Sequence, residues 1–409
     1  MAFRPLRVYL ITAVARALRG APSRRKYTRK FLEERTVDSH ALSTSKSARV
    51  LGILGACLLS GAAAQAGAAE AIASGLSNPR GIAFSASGGL YVAENGSGGE
   101  GPCIPSPASP LPRCYGETGA IAQILPEGGF RRIIEGLPSL ALPNGTAEGG
   151  PARISFQGNV AYLTMGWGGD PGGRAALGGR AELFGKMLMV TPSGAWKIVA
   201  DVAAHESREN PAGGAVDTNP YGLVALPGRR VVADAGANAL VEVLANGRTR
   251  TLAVPPALPP APPSPGPRET VPTSVAEGPD GALYVGLLTA FPFWKGTASV
   301  LRVSSDGASI EDYATGFTAI SDVAFDAGGA LYVLETATGQ STPFPPPAPG
   351  LGIGRLVRQC PHGERDVLLD GLSYPGGLAI GPDGAVYLTN NGTSATDGEV
   401  LRVVVLPCM

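Results

Sequence analysis

Apolar runs of five or six residues, separated by Gly- and Asp-centred breaks, recur along the chain from about residue 70 onward. Asn78-Pro79-Arg80-Gly81-Ile82-Ala83-Phe84 leads through a glycine turn to Gly89-Leu90-Tyr91-Val92-Ala93-Glu94. The same paired unit returns as Asn219-Pro220-Tyr221-Gly222-Leu223 with Val231-Val232-Ala233-Asp234, and as Val271-Pro272-Thr273-Ser274-Val275 with Ala282-Leu283-Tyr284-Val285. Two more copies are Asp322-Val323-Ala324-Phe325 with Leu331-Tyr332-Val333-Leu334-Glu335, and Tyr374-Pro375-Gly376-Gly377-Leu378 with Val386-Tyr387-Leu388-Thr389-Asn390. A weaker one, Pro151-Ala152-Arg153-Ile154-Ser155-Phe156 with Ala161-Tyr162-Leu163-Thr164, fills the gap after the first. Each pair reads as two short strands joined by a tight turn such as Gly278-Pro279-Asp280-Gly281. Two further strands follow in each unit, and four antiparallel strands are the blade of a propeller. The pattern therefore predicts an all-β, six-bladed β-propeller.

The last unit carries only three strand patterns, at 377–380, 385–389 and 399–405. Ala71-Ile72-Ala73-Ser74-Gly75-Leu76 matches the fourth strand of the preceding unit, Val367-Leu368-Leu369-Asp370-Gly371-Leu372. The N-terminal strand is thus expected to complete the last blade, which removes an exposed edge. Turns within strand pairs are short. The long insertions, at 95–118, 166–182, 203–218, 255–269 and 336–352, all fall on the other end of the disc, here called the upper face. Long loops on one face of a rigid scaffold are the usual place for binding or catalysis.

Composition changes this picture mainly at the N-terminus. Residues 1–45 are basic and Ser-rich and read as a presequence or a mis-called start; 46–69 read as a signal peptide, with an apolar run ending near Ala64-Gln65-Ala66. The propeller occupies 70–409, and its expected location is extracytoplasmic, periplasmic or secreted. The apolar run is too short and too rich in Gly and Ala for an integral membrane span. Lys and Arg equal Asp and Glu at 33 each, so nothing favours nucleic acid as a partner. A monomer is expected.

Removing the signal leaves Cys103, Cys114, Cys360 and Cys408, an even number in an exported chain, which favours disulfides. Cys103 and Cys114 share one loop and are expected to pair. Cys360 and Cys408 fall at equivalent turns of adjacent blades, which suggests a second bridge.

Register puts Glu94, Met165, Asp234, Leu287, Glu335 and Asn390 at the upper ends of the second strands, around the axis. Asp322 stands at the upper start of a first strand. Glu94, Asp234, Asp322, Glu335 and Asn390 could converge as hard oxygen ligands suited to Ca²⁺. The competing reading is that they bond channel water, loop backbone, or Arg80 and Arg153. Histidine is scarce, with three in the chain, which excludes a three-histidine zinc site. Only His205 lies on an upper loop, and neither a nucleophile elbow nor a phosphate loop occurs. Trp167, Phe291 and Phe293, with Asn219 and Tyr221, are candidate ligand-binding residues of the upper face. They could equally be lids over the core.

Several segments resemble the ScyD/ScyE family, a relative of NHL-type propellers: Asn219-Pro220-Tyr221-Gly222, Ala233-Asp234-Ala235-Gly236-Ala237-Asn238, Thr289-Ala290-Phe291-Pro292-Phe293 and Thr315-Gly316-Phe317-Thr318. The resemblance spans about residues 70 to 406. It implies an extracytoplasmic propeller and no settled reaction. Two functions remain open: a binding or scaffold protein that holds a small molecule or envelope protein on the upper face, and a metal-dependent hydrolase or lactonase using the axial carboxylates. The latter resembles gluconolactonase-like propellers but lacks their histidines, and a lyase resembling virginiamycin-inactivating propellers shares that lack.

Overall fold

In the computed structural model, residues 69–191, 193–261, 266–339 and 352–408 are described, and the expected presequence and signal peptide lie outside them. Regular secondary structure in the described residues is almost entirely strand. Strands β1 (Ala69–Leu76), β25 (Gly398–Val403), β24 (Val386–Asn390) and β23 (Leu378–Ile380) form one four-stranded sheet. A second contains β11 (Pro220–Leu226), β12 (Arg229–Asp234), β13 (Ala239–Leu244) and β14 (Thr249–Ala253). The third contains β15 (Pro272–Glu277), β16 (Leu283–Leu287), β17 (Ala298–Val303) and β18 (Ile310–Phe317), and the fourth β19 (Ile320–Phe325), β20 (Leu331–Glu335), β21 (Ile353–Gln359) and β22 (Arg365–Ser373).

The expectation of six blades is corrected here. Four separate four-stranded blades are present, and the remaining strands form one nine-stranded sheet. Its members are β2 (Pro79–Phe84), β3 (Leu90–Glu94), β4 (Cys103–Pro105), β5 (Pro112–Ile124), β6 (Phe130–Ala141), β7 (Ala147–Gln157), β8 (Val160–Gly166), β9 (Lys186–Val190) and β10 (Trp196–Asp201). The physical cause is a hairpin. β6 runs past the usual strand length, turns at 142–146 and pairs with the start of β7 at Leu140↔Gly149 and Ala141↔Ala147. Two repeat units are thereby joined by hydrogen bonds.

The N-terminal strand does enter the last sheet, β1 pairing antiparallel with β25 from Ala69↔Val403 to Leu76↔Gly398. Cores lie between neighbouring sheets. Ala73, Leu76, Ile82, Val92 and Val400 join the last sheet to β2 and β3, while Leu226, Val231, Val285 and Leu301 join the second and third.

A lower-face device recurs. The Asp280 carboxylate accepts from Arg302 at 2.7 Å, and Asp383 accepts from Tyr387 at 3.0 Å and Arg402 at 2.7 Å. Asp326 likewise accepts from Tyr332 at 3.0 Å. Asp280 and Asp383 thereby tie the first hairpin to the third strand of their own sheet, while Asp326 braces its hairpin from within. Gly281 and Gly384, both with φ of 75°, supply the left-handed residue that closes the turn beside it.

Both expected disulfides are present. Cys103 and Cys114 are cross-strand partners of β4 and β5, with Cα atoms 4.0 Å apart, and Cys360 and Cys408 stand 5.9 Å apart. Among the described residues no helix is long and apolar enough to cross a membrane.

Candidate functional site

Four of the expected axial residues share one local role. Glu94, at the end of β3, accepts the Ser77 N–H at 2.7 Å and is clasped by both arms of Arg132 from β6, each at 2.7 Å. Glu335, at the end of β20, accepts the Thr318 N–H and pairs with Arg355 of β21. Asn390 accepts the Ser373 N–H at 2.8 Å and donates to Glu399 at 3.1 Å. Asp234 accepts the Asn219 N–H at 2.6 Å, the Thr218 hydroxyl at 2.6 Å and the Ala237 N–H at 3.1 Å. In each case the last residue of a second strand pins the chain just before its first strand. The two fully buried glutamates have bidentate or close arginine partners, which satisfies their charge locally.

The fifth, Asp322, sits at the centre. It pairs with Arg153 of β7, accepts the Leu378 N–H at 2.7 Å and the Val323 N–H at 2.9 Å, and is 5% exposed. Arg153 also donates to the Ser321 carbonyl at 3.2 Å. Glycines make room for it: a Cβ on Gly81 would fall 2.8 Å from the Arg153 Cα, and one on Gly377 would fall 2.9 Å from its Nη1. The ion pair therefore fills the place where strands of three sheets meet. Among the described residues, no group of three or more His, Cys, Asp or Glu side chains could hold a metal ion.

The upper-face residues divide differently. Trp167 is 1% exposed, lies 5.4 Å from the Phe184 ring and 5.2 Å from the Arg113 guanidinium, and donates its indole N–H to the Asp170 carbonyl at 2.9 Å. It is a wall of the scaffold. Asn219 accepts the Trp167 N–H at 3.1 Å, and the half-buried Tyr221 accepts the Thr164 hydroxyl through its carbonyl at 3.3 Å. Phe291, by contrast, is 52% exposed. Its ring meets Phe293 edge-on at 5.8 Å.

The loop that carries Phe291 is held firmly. Leu288, Thr289 and Ala290 donate their N–H groups to the carbonyls of Val271, Thr270 and Glu269 at 2.9, 3.0 and 3.1 Å. Val271, Thr289 and Phe293 have φ of 51°, 65° and 56°, in the left-handed region that bulky and β-branched residues avoid. Below the loop, Trp294 stacks with Arg268 at 4.7 Å.

Sequence reasoning missed a helix. The 203–218 insertion begins with α1 (Val202–Glu209), capped by Asp201, which accepts the Ala204 N–H at 2.9 Å. His205 is buried on it and shares a 2.9 Å hydrogen bond with the Thr251 hydroxyl, so this histidine is part of helix docking. Glu206 is also buried, and neither of its oxygens has a hydrogen-bond partner. Burial, then the charge of Asp234, pushes its carboxyl up to about 7. Burial likewise raises Asp234 to about 6, against the pull of Thr218 and the N–H groups that hold it. Asp201 ahead of Ala203-Ala204 is the cue in the sequence, an N-cap before good helix formers, and the Gly213-Gly214 stretch after it obscures the helix.

The 95–118 insertion is no free loop either. It folds as the β4–β5 hairpin, whose Arg113 donates to the carbonyls of Trp167 at 2.7 Å and Gly168 at 2.6 Å. The disulfide hairpin is thus strapped to the wall formed by Trp167.

No family model matches the chain, and no curated protein matches it. Among solved structures it is similar to a streptogramin B lyase, at 15% identity over 82% of this chain and 97% of that one, with a TM-score of 0.44. It is similar to a luciferin-regenerating enzyme at 11% identity, covering 83% and 96%, with a TM-score of 0.48. A calcium-binding regucalcin from Agrobacterium tumefaciens is 13% identical over 82% and 95%, with a TM-score of 0.45. These neighbours are β-propeller proteins, some of them enzymes and some binding proteins. Likeness of this degree leaves ligand and reaction open, and membership of the ScyD/ScyE family is not shown by it.

Proposed function

We propose that the chain is an exported, ScyD/ScyE-like binding or scaffold protein that holds a small molecule or an envelope protein against its upper face. The observation that carries this reading is Phe291, a large apolar ring left half in water on a loop whose flanks are locked. Backbone conformations that cost of order 1–3 kcal/mol persist where the surroundings enforce them, and they cluster at ligand clamps. Three such residues, Val271, Thr289 and Phe293, lie in this loop and in the segment bonded to it. A ring already held in place loses little conformational freedom when a partner covers it. The two disulfides are compatible with an extracytoplasmic location.

The axial acids support binding over turnover. Glu335 and Glu94 are committed to Arg355 and Arg132, and Asp322 to Arg153, so a catalytic cation at these positions would have to displace an arginine each time. The test uses the purified protein with Ca²⁺ titrated in after chelation, followed by a panel of lactones and esters. A folded-state ligand raises the unfolding midpoint by mass action. The expected result is no saturable rise and no consumption of substrate. A Ca²⁺-dependent rise lost in Glu335→Ala, together with lactone hydrolysis, replaces this reading with the metal-dependent hydrolase. A photo-crosslinking side chain at position 291 should capture a partner that the same group at the lower-face position 404 does not, and equal capture at both sinks the assignment of the face.

A further inference from the structure

Among the described residues, buried carboxylates are answered by an arginine or by a row of N–H groups, with one exception. Glu206 lies in α1 at 1% exposure with both oxygens unpartnered. Two more carboxylates face it: Asp234 at the end of β12, and Asp217, whose Oδ1 also lacks a partner, just ahead of β11. The Asp217 N–H favours the charged form and outweighs the repulsion of its own carboxylate, without forming a well-shaped bond to either Glu206 oxygen.

The cations on elements packed against α1 are engaged elsewhere. Arg174, in the 3₁₀ turn Pro171–Ala176, donates to the Phe184 carbonyl at 2.8 Å and to Asp201 at 3.3 Å. On β9, Lys186 lies 3.9 Å from Glu182, and on β14, Arg250 pairs with Glu242. Arg113 acts on Asp217 and Glu148. On the helix itself, Arg208 reaches the Thr249 hydroxyl at 3.4 Å, Glu209 is exposed, and His205 bonds Thr251 with its Nδ1 unpartnered. The helix is only eight residues long and ends at Asn210 in a left-handed turn. Residues 212–215 after it are exposed, and Gly213 and Gly214 there have positive φ. Besides side-chain docking, the first turn of the helix is held by the Ala203 N–H, which donates to the Gly185 carbonyl at 2.9 Å.

We propose that α1 is a proton-operated latch on the upper face, docked while Glu206 is neutral and released with the following segment when Glu206 ionises. Release uncovers Asp217, Thr218 and the bridge between Gly169 and Thr218 that borders the Trp167 wall. The inference stands apart from the binding role and needs no partner.

The direction follows from the shift. Burial, and then the charge of Asp234, raise Glu206 from 4.5 to about 7. Docking is therefore favoured in full below about pH 4.5 and is lost as pH rises through about 7. Burial lowers His205 below its ordinary 6.5, so its contribution is full above that value and declines on acidification, opposing Glu206 in part.

Hydrogen exchange of the whole protein, read on peptides covering 202–209 at pH 6 and pH 8 and corrected for intrinsic rates, tests the latch. Glu206→Gln is the comparison, because His205 is common to both proteins and cancels. Proton linkage with the two values above makes the ratio of wild-type to variant opening rise about tenfold between pH 6 and pH 8. Glu209→Gln, at an exposed position, should leave the wild-type profile unchanged. A ratio that stays constant overturns the proposal. So does a rise of equal size in peptides from β12 and β16, which means general loosening rather than a latch.

Discussion

The ion pair at the centre offers the sharpest test of how this fold is held. Arg153 and Asp322 are 4% and 5% exposed, come from β7 and β19, and together close the point where the nine-stranded sheet, the fourth sheet and β23 approach. Asp322→Asn removes the charge and keeps an acceptor for only one of the Val323 and Leu378 N–H groups, which now donate to separate oxygens, so the amide NH2 faces the other. Arg153 is then a buried cation holding only the Ser321 carbonyl. Breaking a buried pair in this way costs about 3–5 kcal/mol, most of it the desolvation of the stranded charge. Arg153→Met leaves an aspartate that still accepts two N–H groups, so its cost should be smaller, about 2–3 kcal/mol. The double variant strands no charge, and replacement of a buried pair by neutral groups of similar size is often close to neutral. It should therefore recover to within about 1–2 kcal/mol of the parent. Urea titration followed by the fluorescence of the buried Trp167 and Trp294 reads all four proteins. If the two single costs simply add in the double variant, the pair is not coupled and the centre is held by packing alone.

Three further outcomes follow from local structure. Val271→Asn should raise stability by about 1 kcal/mol in the same titration, because Asn tolerates the left-handed backbone at this half-buried position and a β-branched residue does not. Replacing Cys360 and Cys408 together by serine reopens a loop of 48 residues, and chain entropy sets a loss of about 4 kcal/mol, checked by comparing the unfolding midpoints of the oxidised parent and the variant. Asp234, raised to about 6 when folded against 3.8 ordinarily, makes stability fall as pH rises from about 4 to 6, so Asp234→Asn should flatten that part of a stability-against-pH profile.

Much of this architecture could be read from the chain because it is local. Alternating apolar positions and turn signals such as Gly278-Pro279-Asp280-Gly281 announce hairpins whose register the structure keeps, as in Val275↔Val285. The pairing of β1 with β25 was legible through likeness to a neighbouring repeat. What failed depended on distant partners. The β6–β7 hairpin joins two repeat units through two register pairs around Asn144-Gly145, a turn that looks like any other in sequence. Glu94 and Glu335 were placed correctly at strand ends, but whether they turn to the axis or to a neighbour rests on Arg132 and Arg355, which lie 38 and 20 residues away. Trp167 reads in sequence equally as a ligand contact or as a lid over the core, because its burial depends on Phe184 and on Arg113 from another hairpin. Phe291 stayed exposed for the opposite reason: its loop is braced by its own flanks, so the ring has no need of the core.

The sheet shared by β1 and β25 has a bearing on how the protein is made. Its first strand leaves the ribosome more than three hundred residues before its partner, so the clasp cannot shut on a growing chain. Until Gly398–Val403 is synthesised, the inward residues Ala73 and Leu76 have no strand beside them and the edge of β24 stands open. Every nascent intermediate is therefore an unclosed ring with sticky edges, dependent on whatever shields it. Synthesis of β25 sets the moment of closure, and Cys408, five residues past that strand, can seal it through Cys360 only then.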